Sequence, residues 1–122
     1  MQGLHLTADL HACAAAGGLM TDAQALRGLC LRAVGAAGLT PVGELFHAFT
    51  AHGGLTGVVL LAESHLAIHT WPELGAVTLD VYVCNVGADN TARAEQLMAA
   101  LVEAFAPGRI ERHGLQRGSL AA

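Results

Sequence analysis

Apolar and polar residues alternate over residues 4–10, with Leu4, Leu6, Ala8 and Leu10 on one side and His5, Thr7 and Asp9 on the other, continued by His11. That is the period of a half-buried strand. Gly17 and Gly18 break the pattern, and Thr21 followed by Gln24 has the form of a capping box that opens a helix. Leu26, Leu29, Cys30, Ala33, Val34 and Ala37 then recur at helical spacing until Gly38 stops the helix. Residues 40–50 read as a second strand with Pro41 at its start, where a missing donor is tolerated, and Gly53 and Gly54 supply a turn. Residues 57–62 are continuously apolar, which predicts a strand covered on both faces. Alternation returns over 64–71, with Leu66 and Ile68 opposed by His65, Ala67, His69 and Trp71, and Pro72 ends it. The clearest strand is 76–84: Val77, Leu79, Val81 and Val83 face one way, Thr78, Asp80, Tyr82 and Cys84 the other. After Gly87, Asp89 or Asn90 caps a second helix with its stripe at Ala94, Leu97, Met98, Leu101 and Phe105. Pro107 and Gly108 terminate it, and 109–115 is a weak edge strand.

Two amphipathic helices and several one-sided strands predict an α+β fold, a two-layer sandwich with both helices on one face of a mainly antiparallel sheet. The other face then gathers His5, Thr7, Asp9, His11, His65, His69, Trp71, Thr78, Asp80, Tyr82 and Cys84. Trp71, Tyr82 and Cys84 are poor choices for a solvated surface, so part of this face is expected to meet a second subunit or line a pocket.

The 122 residues suffice for one domain, 1–122, with no linker or repeat. Composition narrows the core, because 53% hydrophobic residues with only 4% aromatics leave Leu, Val and Ala to fill it. A net charge of −4 without basic runs argues against a nucleic-acid binder. The mean hydropathy is +0.48. No apolar run is long enough to span a membrane, so the apolar excess points to buried protein surface. The alternating start predicts no signal peptide, and three widely spaced cysteines suit a reducing cytoplasm.

Chemistry concentrates in Glu63-Ser64-His65-Leu66-Ala67-Ile68-His69-Thr70-Trp71-Pro72-Glu73, in a chain only 13% charged. His65 and His69 stand at i and i+4, but no third ligand stands at a telling spacing, so no metal site is expected. This stretch, with Asp80-Val81-Tyr82-Val83-Cys84 after it, closely resembles the signature of the small prokaryotic S-adenosylmethionine decarboxylases. The resemblance extends to Gly3-Leu4-His5-Leu6-Thr7-Ala8-Asp9-Leu10 with Cys13, to His47 and Phe49, and to Gly57-Val58-Val59.

The resemblance implies a proenzyme that cuts itself between Glu63 and Ser64, giving a β chain 1–63 and an α chain 64–122. Ser64 would become a covalent pyruvoyl group, the cofactor, which forms a Schiff base with the substrate amine. His69 would accept a proton in processing, with Thr56 assisting, and Cys84 would reprotonate the substrate. Phe49 and Glu73 would bind the nucleoside, Trp71 would also contact the substrate, and sites would be shared across a homodimer. The product would be the aminopropyl donor of spermidine and polyamine synthesis. This sequence departs from the pattern in a loop between Phe49 and Thr56 one residue longer than usual, in Thr56 where serine is common, and in Asn85 where glycine follows the cysteine. Arginine or ornithine decarboxylation in the same fold, and a non-catalytic binding subunit, are the alternatives. Ser64 and His69 are five residues apart and would face opposite ways on a straight strand, so either the chain bends at the cut site or the freed end turns.

Overall fold

The computed structural model describes residues 1–15 and 18–118, so Gly17 lies outside the described residues. In chain order it runs β1 (Gln2–His11), α1 (Ala23–Ala36), β2 (Pro41–Ala48), β3 (Leu55–Leu61), β4 (Ser64–Trp71), β5 (Ala76–Cys84), α2 (Thr91–Phe105) and β6 (Arg109–Gly118). A single 3-10 turn, Pro72–Leu74, joins β4 to β5. The strands form one sheet in the order β2-β3-β4-β5-β1-β6. Every neighbouring pair is antiparallel. Chain neighbours from β2 to β5 pair as a meander, whereas β1 is inserted between β5 and β6.

Both helices lie on one face, α1 against β2, β3 and α2, and α2 against β1 and β5. The core between the layers is mostly aliphatic, with Leu26, Cys30 and Val34 of α1 and Leu97 and Leu101 of α2 meeting Leu10, Val59, Ile68 and Val81 of the sheet. The layer arrangement is the expected α+β sandwich, and its period-2 burial is clean in β4 and β5.

Three local expectations are corrected, and for a fourth, the α2 cap at Asp89 or Asn90, the structure selects Asp89. The α1 cap is Asp22, whose carboxylate accepts from the Gln24 and Ala25 amides at 3.0 and 3.4 Å, and not Thr21. A carboxylate one residue later reaches the free amides of the first turn. β3 is covered on one face only: Leu55, Gly57, Val59 and Leu61 are buried while Leu60 is half exposed. Gly57 leaves room for the Phe46 ring, which lies 2.2 Å from where a Cβ would stand. The strand predicted over 109–115 runs on to Gly118, because β6 pairs with β1 along its whole length, from His11↔Arg109 to Gln2↔Gly118. A backbone ladder holds this edge although most of its side chains are exposed. Finally, α2 begins after Asn90, but Asn90 makes no side-chain cap bond; Asp89 accepts from the Thr91 amide at 2.9 Å instead.

The face without helices carries the polar residues in register, His5↔Tyr82, Thr7↔Asp80, His65↔Tyr82 and His69↔Thr78. At its centre His65 stacks on Tyr82, centroids 5.7 Å apart, and His5 contacts both rings edge-on while approaching Asp80 at 3.2 Å. Toward β2 the same face is apolar, with Leu45 and Leu60 at 69% and 50% exposure. Among the described residues, no helix is long and apolar enough to cross a membrane.

Candidate active site

β3 and β4 form a tight hairpin that closes through Ala62 and Glu63, with Leu61 opposite Ser64. Glu63 takes a left-handed conformation, φ 54°, which strains a residue with a side chain. The chain therefore turns sharply just before Ser64. The Ser64 Oγ accepts a hydrogen bond from the Cys84 amide at 3.1 Å, so the end of β5 is tied to the start of β4. The Cys84 carbonyl in turn accepts from the Asn90 side-chain amide at 2.8 Å.

A second group assembles at the opposite end of β4. The Thr56 hydroxyl and His69 Nδ1 lie 3.1 Å apart across the β3–β4 ladder, and the His69 ring stacks on Trp71 with centroids 5.7 Å apart. The loop after β2 is pinned by the Phe49 amide donating to Gly54, and the Phe49 ring packs edge-on against His47. Together these elements border a cavity of about 260 Å³ lined by Phe49, His52, Thr56, His69, Trp71 and Glu73 among others. That is near the lower limit for a small-molecule pocket, enough for part of a nucleoside-sized ligand. His52, also left-handed at φ 62°, approaches the Glu73 carboxylate at 3.9 Å.

The two groups do not meet within one chain. Five residues of extended strand separate Ser64 from His69, about 17 Å at ~3.3 Å per residue. The odd spacing also sends the two side chains to opposite faces despite the turn at Glu63. Cys84 and His69 share the open face, but His69 pairs with Thr78, six residues from Cys84, which leaves them about 20 Å apart. Of the residues singled out in the sequence, Ser64 and Cys84 are neighbours, and Thr56, His69, Phe49, Trp71 and Glu73 are neighbours.

Three supporting residues were not legible as such. Thr70 is buried in the helix-facing row of β4, donates to the Met20 carbonyl at 2.8 Å and accepts from the Leu55 amide at 2.9 Å. Its polar side chain among Leu66 and Ile68 was the available signal. His52 is a loop residue whose partner Glu73 lies far along the chain, and Asn90, read from the sequence as a cap candidate, turns instead to the Cys84 carbonyl six residues earlier. Among the described residues, no group of three or more His, Cys, Asp or Glu is placed to hold a metal ion.

Comparison with known proteins gives one consistent result. The family model for S-adenosylmethionine decarboxylase matches residues 4–118. An S-adenosylmethionine decarboxylase proenzyme from Archaeoglobus fulgidus is 36% identical over 116 residues, covering 95% of this chain and 97% of its own. A proenzyme of the same name from Aquifex aeolicus is 40% identical over 116 residues, 95% of this chain and 81% of its own. The crystal structure of the adenosylmethionine decarboxylase from Aquifex aeolicus superposes with a TM-score of 0.86 at 37% identity, over 97% of this chain and 92% of the other.

Proposed function

The chain belongs to the S-adenosylmethionine decarboxylase family, and from that premise we propose that it is a proenzyme that cleaves itself at Glu63–Ser64 and then decarboxylates S-adenosylmethionine. The observation that carries the cut site is the strained Glu63 turn with the Ser64 hydroxyl held beside it by the Cys84 amide.

In processing, the Ser64 Oγ adds to the Glu63 carbonyl carbon and the peptide C–N bond breaks, leaving an ester and a free Ser64 amine. Removal of the Ser64 α-proton expels the Glu63 carboxylate and leaves dehydroalanine. Water then adds and ammonia departs, so that residue 64 becomes a pyruvoyl group at the head of the 64–122 chain. A hydroxyl needs a base to act as a nucleophile, and we assign His69, oriented by Thr56, to take up the proton. Ser64, beside a sharp turn and next to a backbone donor, suits such a group; once formed, it supplies the carbonyl that accepts the substrate amine and the electron pair left by carbon dioxide. Cys84 holds the proton destined for the former α-carbon. Phe49 and Trp71 offer aromatic surface to the adenine, and Glu73 an acceptor for ribose hydroxyls.

The separation of Ser64–Cys84 from Thr56–His69 supports a homodimer with shared sites. Two copies packed through their open faces about a twofold axis would set the Ser64 end of one against the partner's His69. Such packing would also cover Leu45, Leu60 and the His65–Tyr82 stack. The cysteines Cys13, Cys30 and Cys84 are free thiols, which supports a reducing cytoplasm.

Denaturing mass spectrometry of the purified protein is expected to find chains 1–63 and 64–122, the latter without an amino-terminal amine. Carbon dioxide release is expected from S-adenosylmethionine and not from arginine or ornithine. An active preparation that retains an unmodified serine at residue 64 would overturn the mechanism, and turnover confined to a basic amino acid would overturn the substrate.

A further inference from the structure

We propose that Asn90 is a positioning residue for Cys84, holding the peptide that carries the thiol and the amide bonded to Ser64. This rests on the assignment of Cys84 as proton donor made above.

Asn90 occupies the N-cap position of α2, where asparagine ordinarily accepts from the first-turn amides. Here it makes no such bond. The capping role has passed to Asp89, whose carboxylate accepts from the Thr91 amide at 2.9 Å. That bond, and then the Thr91 hydroxyl, hold the Asp89 carboxyl below the usual carboxylate range.

Asn90 is thereby free to face backward. Its Nδ2 donates to the Cys84 carbonyl at 2.8 Å, and its Oδ1 accepts from the Arg93 guanidinium at 2.8 Å. A carbonyl can only accept and a guanidinium can only donate, so these partners fix which way the amide points.

The contact falls where β4 stops providing partners to β5. Cys84 is the last residue of β5, and the β4–β5 ladder ends at His65↔Tyr82, two residues before it. The Asn90 amide gives the Cys84 carbonyl a donor at the point where the ladder ends. Asn85 closes the turn: its Oδ1 accepts from the Asn90 backbone amide at 2.7 Å, and its Nδ2 donates to the Thr91 hydroxyl at 3.2 Å. The residue that departs from the family's glycine is thus the one that secures Asn90. Cys84 is gripped on both sides, its amide by the Ser64 Oγ and its carbonyl by Asn90. Rotation of either peptide would swing the thiol, and small misplacements of a reacting group cost rate steeply.

The variant Asn90→Asp keeps the shape, the capping ability and the acceptor for Arg93, but sets an oxygen against the Cys84 carbonyl. Measured per cleaved chain, it is expected to lower kcat about tenfold to a hundredfold with KM unchanged. Because proton delivery then limits turnover, the solvent deuterium isotope effect on kcat rises. Asp89→Ala serves as the control for helix stability, with a lower Tm but the native kcat and isotope effect. If Asn90→Asp does not fold, Asn90→Ser, a good cap too short to reach Cys84, carries the same expectation. A native kcat and isotope effect in the Asn90 variant would overturn the proposal, as would an equal loss in Asp89→Ala. An unmodified protein that neither cleaves nor turns over S-adenosylmethionine would instead overturn the function from which the proposal starts.

Discussion

Cys30 and Cys84 are the same side chain in two environments. Cys30 is fully buried in the α1 stripe, and burial pushes its thiol from 9.0 up to about 12. Desolvation disfavours the thiolate, so Cys30 is a packing residue, as its helical spacing indicates. Below the unfolded value of 9.0 the folded and unfolded chains both hold the proton and its stabilising effect is complete. As pH rises toward 12 the unfolded chain ionises first, and stability should fall by about 1.4 kcal/mol per pH unit. Thermal melts between pH 9 and 11 should therefore decline more steeply for the native protein than for Cys30→Ala. Cys84, half-buried at a strand end and bonded through its backbone to Ser64, stands outside that core. The residue types, Thr56 beside His69 among them, were legible from the motif, whereas the hydrogen bonds that Cys84 makes with Ser64 and Asn90 depend on how β4 and the turn after β5 come together.

At the scale of elements, period decided most. The alternation in β4 and β5 and the stripes of α1 and α2 gave their buried faces correctly, because the side-chain direction repeats with the backbone itself. Ends were less legible. A Thr-x-x-Gln spacing fits a capping box at Thr21, yet Asp22 holds the α1 amides. Asp22→Ala should cost about 1 kcal/mol and Thr21→Ala much less, read as the shift in urea midpoint at constant slope. β6 was underestimated for a different reason: an edge strand held by its ladder to β1 needs no apolar alternation.

At the scale of the whole molecule, the two halves of the motif stand in separate places. β4 carries Ser64 at one end and His69 at the other, and the open face extends between them. If active sites form across a twofold axis, co-expressed Cys84→Ala and His69→Ala chains should regain activity that neither has alone. In each mixed dimer one site receives native Ser64 and Cys84 from one chain and native His69 from the other, so about a quarter of all sites should be intact. Decarboxylation by the co-purified mixture, compared with each variant alone, measures this, and failure to recover activity would place both groups in a single chain.

The sequence by itself determined the two layers, the faces of the strands and helices, and the chemistry concentrated between Glu63 and Glu73. Each of these is written in local spacing, since backbone geometry repeats every two residues in a strand and every 3.6 in a helix. Only the tertiary structure decided that β1 lies between β5 and β6, that Ser64 adjoins Cys84 while His69 joins Thr56 and the cavity beneath Phe49, and that Asn90 turns from its helix toward Cys84. The first two outcomes join residues distant in the chain and the third, across six residues, depends on how the turn after β5 closes; no short-range pattern fixes which partners a folded backbone brings together.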